Sequence, residues 1–191
     1  VKEDREQNMA LLWAFPDQDS LEYFNLTQDE NTIHLDGTVI LCMDQRPARV
    51  NYRIECAPGW TTRHALITQD YDGQTRTLDI RVDQARRWFA DEQPIAFATG
   101  LTDIDLSVTP STNLLPIRRF KLNIAEAQEV TAVWVRFPSL TIEPLHQRYT
   151  RVDEQIYQYE GLSTGFRALL EVDDFAYVIR YGDFWQRVSA G

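Results

Sequence analysis

The stretch with the richest chemistry runs from Thr102 to Lys121 and reads TDIDLSVTPSTNLLPIRRFK. Asp103 and Asp105 stand two residues apart. On an extended strand that spacing puts both carboxylates on one face, roughly 6–7 Å apart along the backbone. Carboxylates in unlike environments split their pKa values and can divide acid and base work. The same pair can serve instead as buried ion-pair partners, because Arg118 and Arg119 follow closely. Read as a strand, this segment puts Arg118 on the face of Phe120 and Leu122, and Arg119 on the opposite face. An arginine on an apolar face needs a partner, since an unpaired buried charge is costly, and Asp103 or Asp105 is the natural one. Between the acids and the arginines lie Thr109, Ser111, Thr112 and Asn113. They read as a polar turn that hydrogen-bonds to itself. Hydroxyls and an amide beside an arginine are also groups that grip a sugar or a phosphate head group.

Other chemistries find little footing. His34, His64 and His146 lie far apart, without the spacing of a metal site's converging ligands. There is no Gly-x-Ser-x-Gly elbow and no glycine-rich phosphate loop, and no cofactor is expected. Cys42 and Cys56 are the only cysteines. They sit in apolar strand contexts and read as free thiols, not as a disulfide.

The elements that must carry these residues have a period of two. From Ala48 to Cys56, Val50, Tyr52, Ile54 and Cys56 face one way while Arg49, Asn51, Arg53 and Glu55 face the other. The alternation recurs at Thr61–Thr68, Thr75–Val82, Thr131–Phe137 and Tyr177–Tyr181. Turn signals fall at Asp36-Gly37, Asp44-Gln45-Arg46-Pro47, Pro58-Gly59 and Asp72-Gly73. A hairpin at Asp44–Pro47 would set Cys42 opposite Val50. Ten or more short strands of this kind mean an all-β barrel or sandwich. The best helix candidate opens at Thr109-Pro110, with Thr as cap and Pro in the first turn. Pro116 is expected to limit it to about one turn. Tyr52–Glu55 with Gly59–Arg63 weakly resembles Tyr157–Glu160 with Gly165–Arg167, the pattern of a duplicated β unit. Trp13, Trp60, Trp88, Trp134 and Trp185 are spread along the chain, either as core filling or as the walls of an apolar cavity. Charged residues alternate with apolar ones on many strands, so either face could line the interior.

Composition narrows the functional classes. The chain has 191 residues, which fits a single domain over 1–191, and 19 basic against 29 acidic residues leave a net charge of -10. That balance argues against nucleic acid, whose phosphates call for a basic face. No apolar run is long enough for a transmembrane helix, and no signal-peptide pattern is visible, so a cytoplasmic location is expected.

The run Asp103-Ile104-Asp105-Leu106, Thr109-Pro110, Thr112-Asn113 and Leu115-Pro116-Ile117-Arg118-Arg119 resembles the signature of the putative glycolipid-binding family of bacterial proteins. Three further segments agree: Trp60 to Arg63, Pro138 through Gln147-Arg148-Tyr149, and the ending with Val178, Tyr181, Phe184 and Arg187. Departures fall at turn-like positions: Ser111 where an aromatic usually stands, Leu114 in place of a small polar residue, Tyr181-Gly182 in place of Tyr-Pro, and Ala57-Pro58-Gly59 where an acidic residue is usual. The resemblance implies a many-stranded, largely antiparallel β-barrel of two similar halves with little helix, related in shape to carriers of lipids and lipoproteins. It brings no catalytic residues. The expected function is therefore shielding of an amphipathic lipid or glycolipid inside the barrel. The acyl part would lie on apolar walls and the head group at Arg118 or Arg119, Asn113 and Thr112, with Gln147, Arg148 and Tyr149 as further candidates. The alternative is an enzyme acting on a sugar, lipid or phosphorylated metabolite through Asp103 and Asp105.

Overall fold

The computed structural model describes residues 8–190 apart from residues 16 and 18. Fifteen strands form one sheet. The first eight are β1 (Asn8–Phe15), β2 (Ser20–Gln28), β3 (Ile33–Met43), β4 (Arg46–Cys56), β5 (Thr62–Tyr71), β6 (Gln74–Val82), β7 (Trp88–Ala90) and β8 (Gln93–Pro94). The rest are β9 (Asp103–Leu106), β10 (Ala127–Arg136), β11 (Thr141–Asp153), β12 (Ile156–Gly161), β13 (Phe166–Val172), β14 (Val178–Tyr181) and β15 (Trp185–Ala190). The order across the sheet is β8 to β1 in sequence, then β15 back to β9. Successive strands pair antiparallel, β1 joins β15, and β9 lies parallel to β10. The ladder leaves β8 and β9 as the two ends of the sheet.

The period-two reading places the strands well because alternation decides which face is buried. On β4, Val50, Tyr52, Ile54 and Cys56 are buried, and on β3 their interior counterparts are Ile33, Leu35 and Val39. Two turn readings need correction. Asp36-Gly37 is not a turn but the middle of β3, where Gly37 pairs with Tyr52 of β4. A Cβ at Gly37 would overlap the Tyr52 ring, so the glycine is there for room. The β3–β4 hairpin turns on Asp44 and Gln45, with β4 already under way at Arg46, so Cys42 faces Pro47 and Val50 faces Val39. Both cysteines are free, Cys42 exposed and Cys56 buried.

A parallel pair needs a long crossover, and the signature stretch supplies it. Between β9 and β10 the chain makes a 3-10 turn at Ser111–Asn113 and the single α-helix described, α1 (Leu114–Phe120). Pro116 does not stop this helix. It is the third residue, where a backbone N–H has no partner inside the helix to lose. Arg118 and Arg119 are therefore helical, not on opposite faces of a strand. Thr109 to Ile117 are all buried, so the crossover runs through the core. Contacts beyond the ladder tie β5 and β6 of one arm to the approach to β9 and to the β10–β11 hairpin of the other. Thr62 N–H of β5 donates to the Thr102 carbonyl at 2.9 Å, just before β9. Gln69 Nε2 donates to the Pro138 carbonyl at 2.9 Å and Arg76 Nη1 to the Ser139 carbonyl at 3.0 Å, tying the β10–β11 hairpin to β5 and β6.

Candidate functional site

The crossover is anchored to both arms of the sheet by buried polar side chains. On the β2–β4 side, Tyr52 donates its phenol proton to Glu22 Oε1 at 2.5 Å and lies 2.7 Å from Ser111 Oγ. The Thr109 hydroxyl reaches the same Glu22 oxygen at 2.8 Å. Glu22 is fully buried, and desolvation pushes its pKa up to about 8 against the pull of these two hydrogen bonds. On the β11 side, Tyr149 donates to Asn113 Oδ1 at 2.8 Å, while Asn113 Nδ2 donates to the Pro110 carbonyl at 3.1 Å. The polar turn therefore bonds to itself, as expected, and to two distant strands as well.

The two aspartates of β9 share a face but have different surroundings. Asp103 receives both Arg119 Nη1 at 2.7 Å and Nη2 at 2.6 Å, with the Thr102 hydroxyl at 2.6 Å. The partner is thus Arg119 and not Arg118. Asp105 has no ion-pair partner among the described residues. Gln147 Nε2 donates to its Oδ2 at 2.6 Å and to the Tyr159 hydroxyl at 3.1 Å. Desolvation raises the Asp105 pKa to about 6, the amide bond pulling the other way.

Asp105 opens onto a cavity of about 350 Å³. Eight neighbouring strands contribute to it: Asp105 and Leu106 from β9, Trp134, Leu145 and Tyr159 from β10 to β12, then Phe166, Tyr181, Trp185 and Phe15 from β13, β14, β15 and β1. Thr109 and Asn113 of the crossover, Ser107, Thr164 and Phe184 complete it. The walls are a continuous set of ring contacts, among them Tyr159–Tyr181 at 6.0 Å, Phe166–Phe184 at 5.3 Å and Phe15–Trp185 at 5.7 Å. A second cleft of about 360 Å³ shares Phe15, Ser107 and Trp185 with the first. Leu41, Met43, Val108 and Phe137 line it. An apolar, concave site with a few placed polar groups is the usual form of a small-ligand site.

The family described as putative glycolipid-binding matches residues 10–187. The chain belongs to the putative glycolipid-binding family. Among solved structures it is similar to a DUF1089 family protein from Pseudomonas aeruginosa, with 27% identity, a TM-score of 0.78, and 87% of this chain and 92% of that one covered. A beta-barrel-like protein of the domain of unknown function DUF1849 from Brucella abortus shares the fold at 8% identity and a TM-score of 0.54, over 97% of this chain and 98% of that one. The comparison with curated proteins returns no match.

The sequence-derived residues of this family member fall into three groups. Asp105, Thr109 and Asn113 line the cavity, and Gln147 and Tyr149 stand behind it, bonded to two of them. Asp103, Arg119 and Thr112 are packed within the protein, Thr112 Oγ1 lying 3.5 Å from the Leu106 N–H. Arg118 and Arg148 lie elsewhere. The Arg118 guanidinium sits 5.0 Å from the Trp60 ring centre and 5.7 Å from that of Tyr177, with its Nε and one Nη buried without a hydrogen-bond partner. Arg148 pairs with Glu129 on the exposed face. The arginines therefore do not meet Asn113 and Thr112 at a common head-group site. Sequence reasoning did not single out Glu22, Ser107, Tyr159 or Phe166. Of the five tryptophans, Trp13, Trp60 and Trp88 are core, whereas Trp134 and Trp185 line the cavity.

Proposed function

We propose that this protein binds an amphipathic lipid of the glycolipid kind in the aromatic cavity and the cleft that adjoins it. In this reading the sheet, wrapped round its own crossover, works as a barrel with one furnished mouth. The observation that carries it is that the two spaces share Phe15, Ser107 and Trp185 in their walls. One space has aromatic walls and a carboxyl group, and the other sets Leu41, Met43, Val108 and Phe137 beside Ser20, Cys42 and Asp44. A ligand with a polar ring and a chain has matching parts. Each methylene the cleft removes from water contributes about 0.8 kcal/mol before ordering costs.

The enzymatic alternative asks Asp103 and Asp105 to act as a pair. Both oxygens of Asp103 are held by Arg119, which supports an ion-pair role for it and leaves Asp105 as the one acid open to a ligand.

The test is to incubate the protein, purified without detergent, with bacterial lipid extract, re-isolate it and extract it with organic solvent. Recovery of a lipid in stoichiometric amount supports the reading. A protein that carries over no lipid overturns it.

A further inference from the structure

The nature of the polar group that enters the aromatic cavity is written in its charges. Among the described residues no lysine, arginine or histidine lines either the cavity or the adjoining cleft, whereas Asp105 lines the first and Asp44 the second. Arg136 stacks on the Trp134 ring at 4.9 Å but is paired with Glu143. A phosphate, sulfate or carboxylate group is recognised above all by cations, and the described residues of this site present none. Arg118, Lys121 and Arg151, none of which has a carboxylate partner among the described residues, line a separate hollow.

What the cavity does present suits a polyol. Asp105 Oδ2 is held by Gln147, and Oδ1 has no hydrogen bond from the described residues, leaving it as an acceptor for ligand hydroxyls. Ser107 adds an exposed hydroxyl at the junction of the two spaces. The flat faces of Trp134, Tyr159, Phe166 and Tyr181 match the C–H face of a sugar ring. About 350 Å³ lies at the small end for ligand sites. It suits a ring better than a ring with its chain, and the cleft past Phe15, Ser107 and Trp185 offers the chain a way out.

Resting on the lipid-binding reading above, we propose that the head group enters the aromatic cavity first and is an uncharged sugar ring, and that anionic head groups are rejected. This reverses the arrangement expected from the sequence, in which the chain lies inside and arginines hold the head group.

The experiment compares n-octyl β-D-glucoside with n-octyl phosphate, both below their micellar concentrations, by calorimetric titration at pH 7.5. The Gln147 side-chain amide is followed by NMR. The expected result is about tenfold or tighter binding of the glucoside, a gap that narrows in Asp105→Asn, and a shift of the Gln147 amide signal on glucoside binding. Equal or tighter binding of octyl phosphate overturns the proposal and leaves the lipid-binding reading standing. So does glucoside binding that leaves the Gln147 signal unmoved. Binding of neither ligand overturns both. If Asp105→Asn does not fold, the wild-type ratio and the Gln147 signal decide.

Discussion

Gln147 Nε2 stands 2.6 Å from Asp105 Oδ2 and 3.1 Å from the Tyr159 hydroxyl, so one amide on β11 joins the acid of β9 to the aromatic wall of β12. The amide holds one carboxyl oxygen and leaves the other toward the ligand space. It also moderates the desolvation that lifts the Asp105 pKa to about 6. Replacing it by leucine removes that moderation. In Gln147→Leu the Asp105 pKa is expected to rise further, as followed by carboxyl carbon NMR against pH. An unchanged titration would mean that the bond does not govern the acid.

The two aspartates should separate cleanly in stability measurements. Removing one partner of the Asp103–Arg119 pair strands a buried charge, so Arg119→Met is expected to cost about 3–5 kcal/mol in urea unfolding. Asp105→Asn keeps the shape and loses no ion pair, so about 1 kcal/mol or less is expected. Equal costs would show that Asp105 also holds the fold together.

Glu22 makes stability depend on pH with a definite sign. Its pKa is 4.5 in an ordinary setting and about 8 in the fold, so between these values the folded protein binds the extra proton. Stability is full below about pH 4.5 as far as this group is concerned, and falls as pH rises toward 8, by up to about 1.4 kcal/mol per pH unit. Asp105 adds the same sign between 3.8 and about 6. Denaturation of the wild type at several pH values should show the fall, and Glu22→Gln should flatten it between pH 6 and 8. An unaltered slope in that variant would contradict the account.

Gly37 and Tyr52 form one structural unit. The glycine leaves the ring lying across β3, and the ring's hydroxyl then reaches Glu22 and the crossover. Gly37→Ala is expected to cost about 1–3 kcal/mol by forcing the ring aside, measurable by thermal unfolding. A neutral effect would show that Tyr52 has other room.

The strands were legible because burial here follows strict alternation, as β3 and β4 show. The interior face was less so. Ser20, Glu22, Phe24 and Leu26 point inward on β2, while Leu21 and Tyr23 on the other face are exposed. Both faces carry apolar residues, so alternation alone does not mark Glu22 as buried. The helix was misjudged at its far end because a proline reads as a stop unless its position within the first turn is known. The cavity draws side chains from eight strands, and only the ladder order reveals that Phe15 and Phe166 belong to one wall. Arg119 took Asp103 because a helix, not a strand, presents it.

The most direct measurement is native mass spectrometry of the wild type and of Ser107→Trp after exposure to the same bacterial lipid extract. Ser107 is exposed and lines both the cavity and the cleft, so an indole there is expected to crowd both spaces without entering the core. The account predicts a lipid adduct on the wild type and loss of most of it in the variant, with both proteins equally folded. A wild type that takes up no lipid, or a variant that keeps its full adduct, would contradict it.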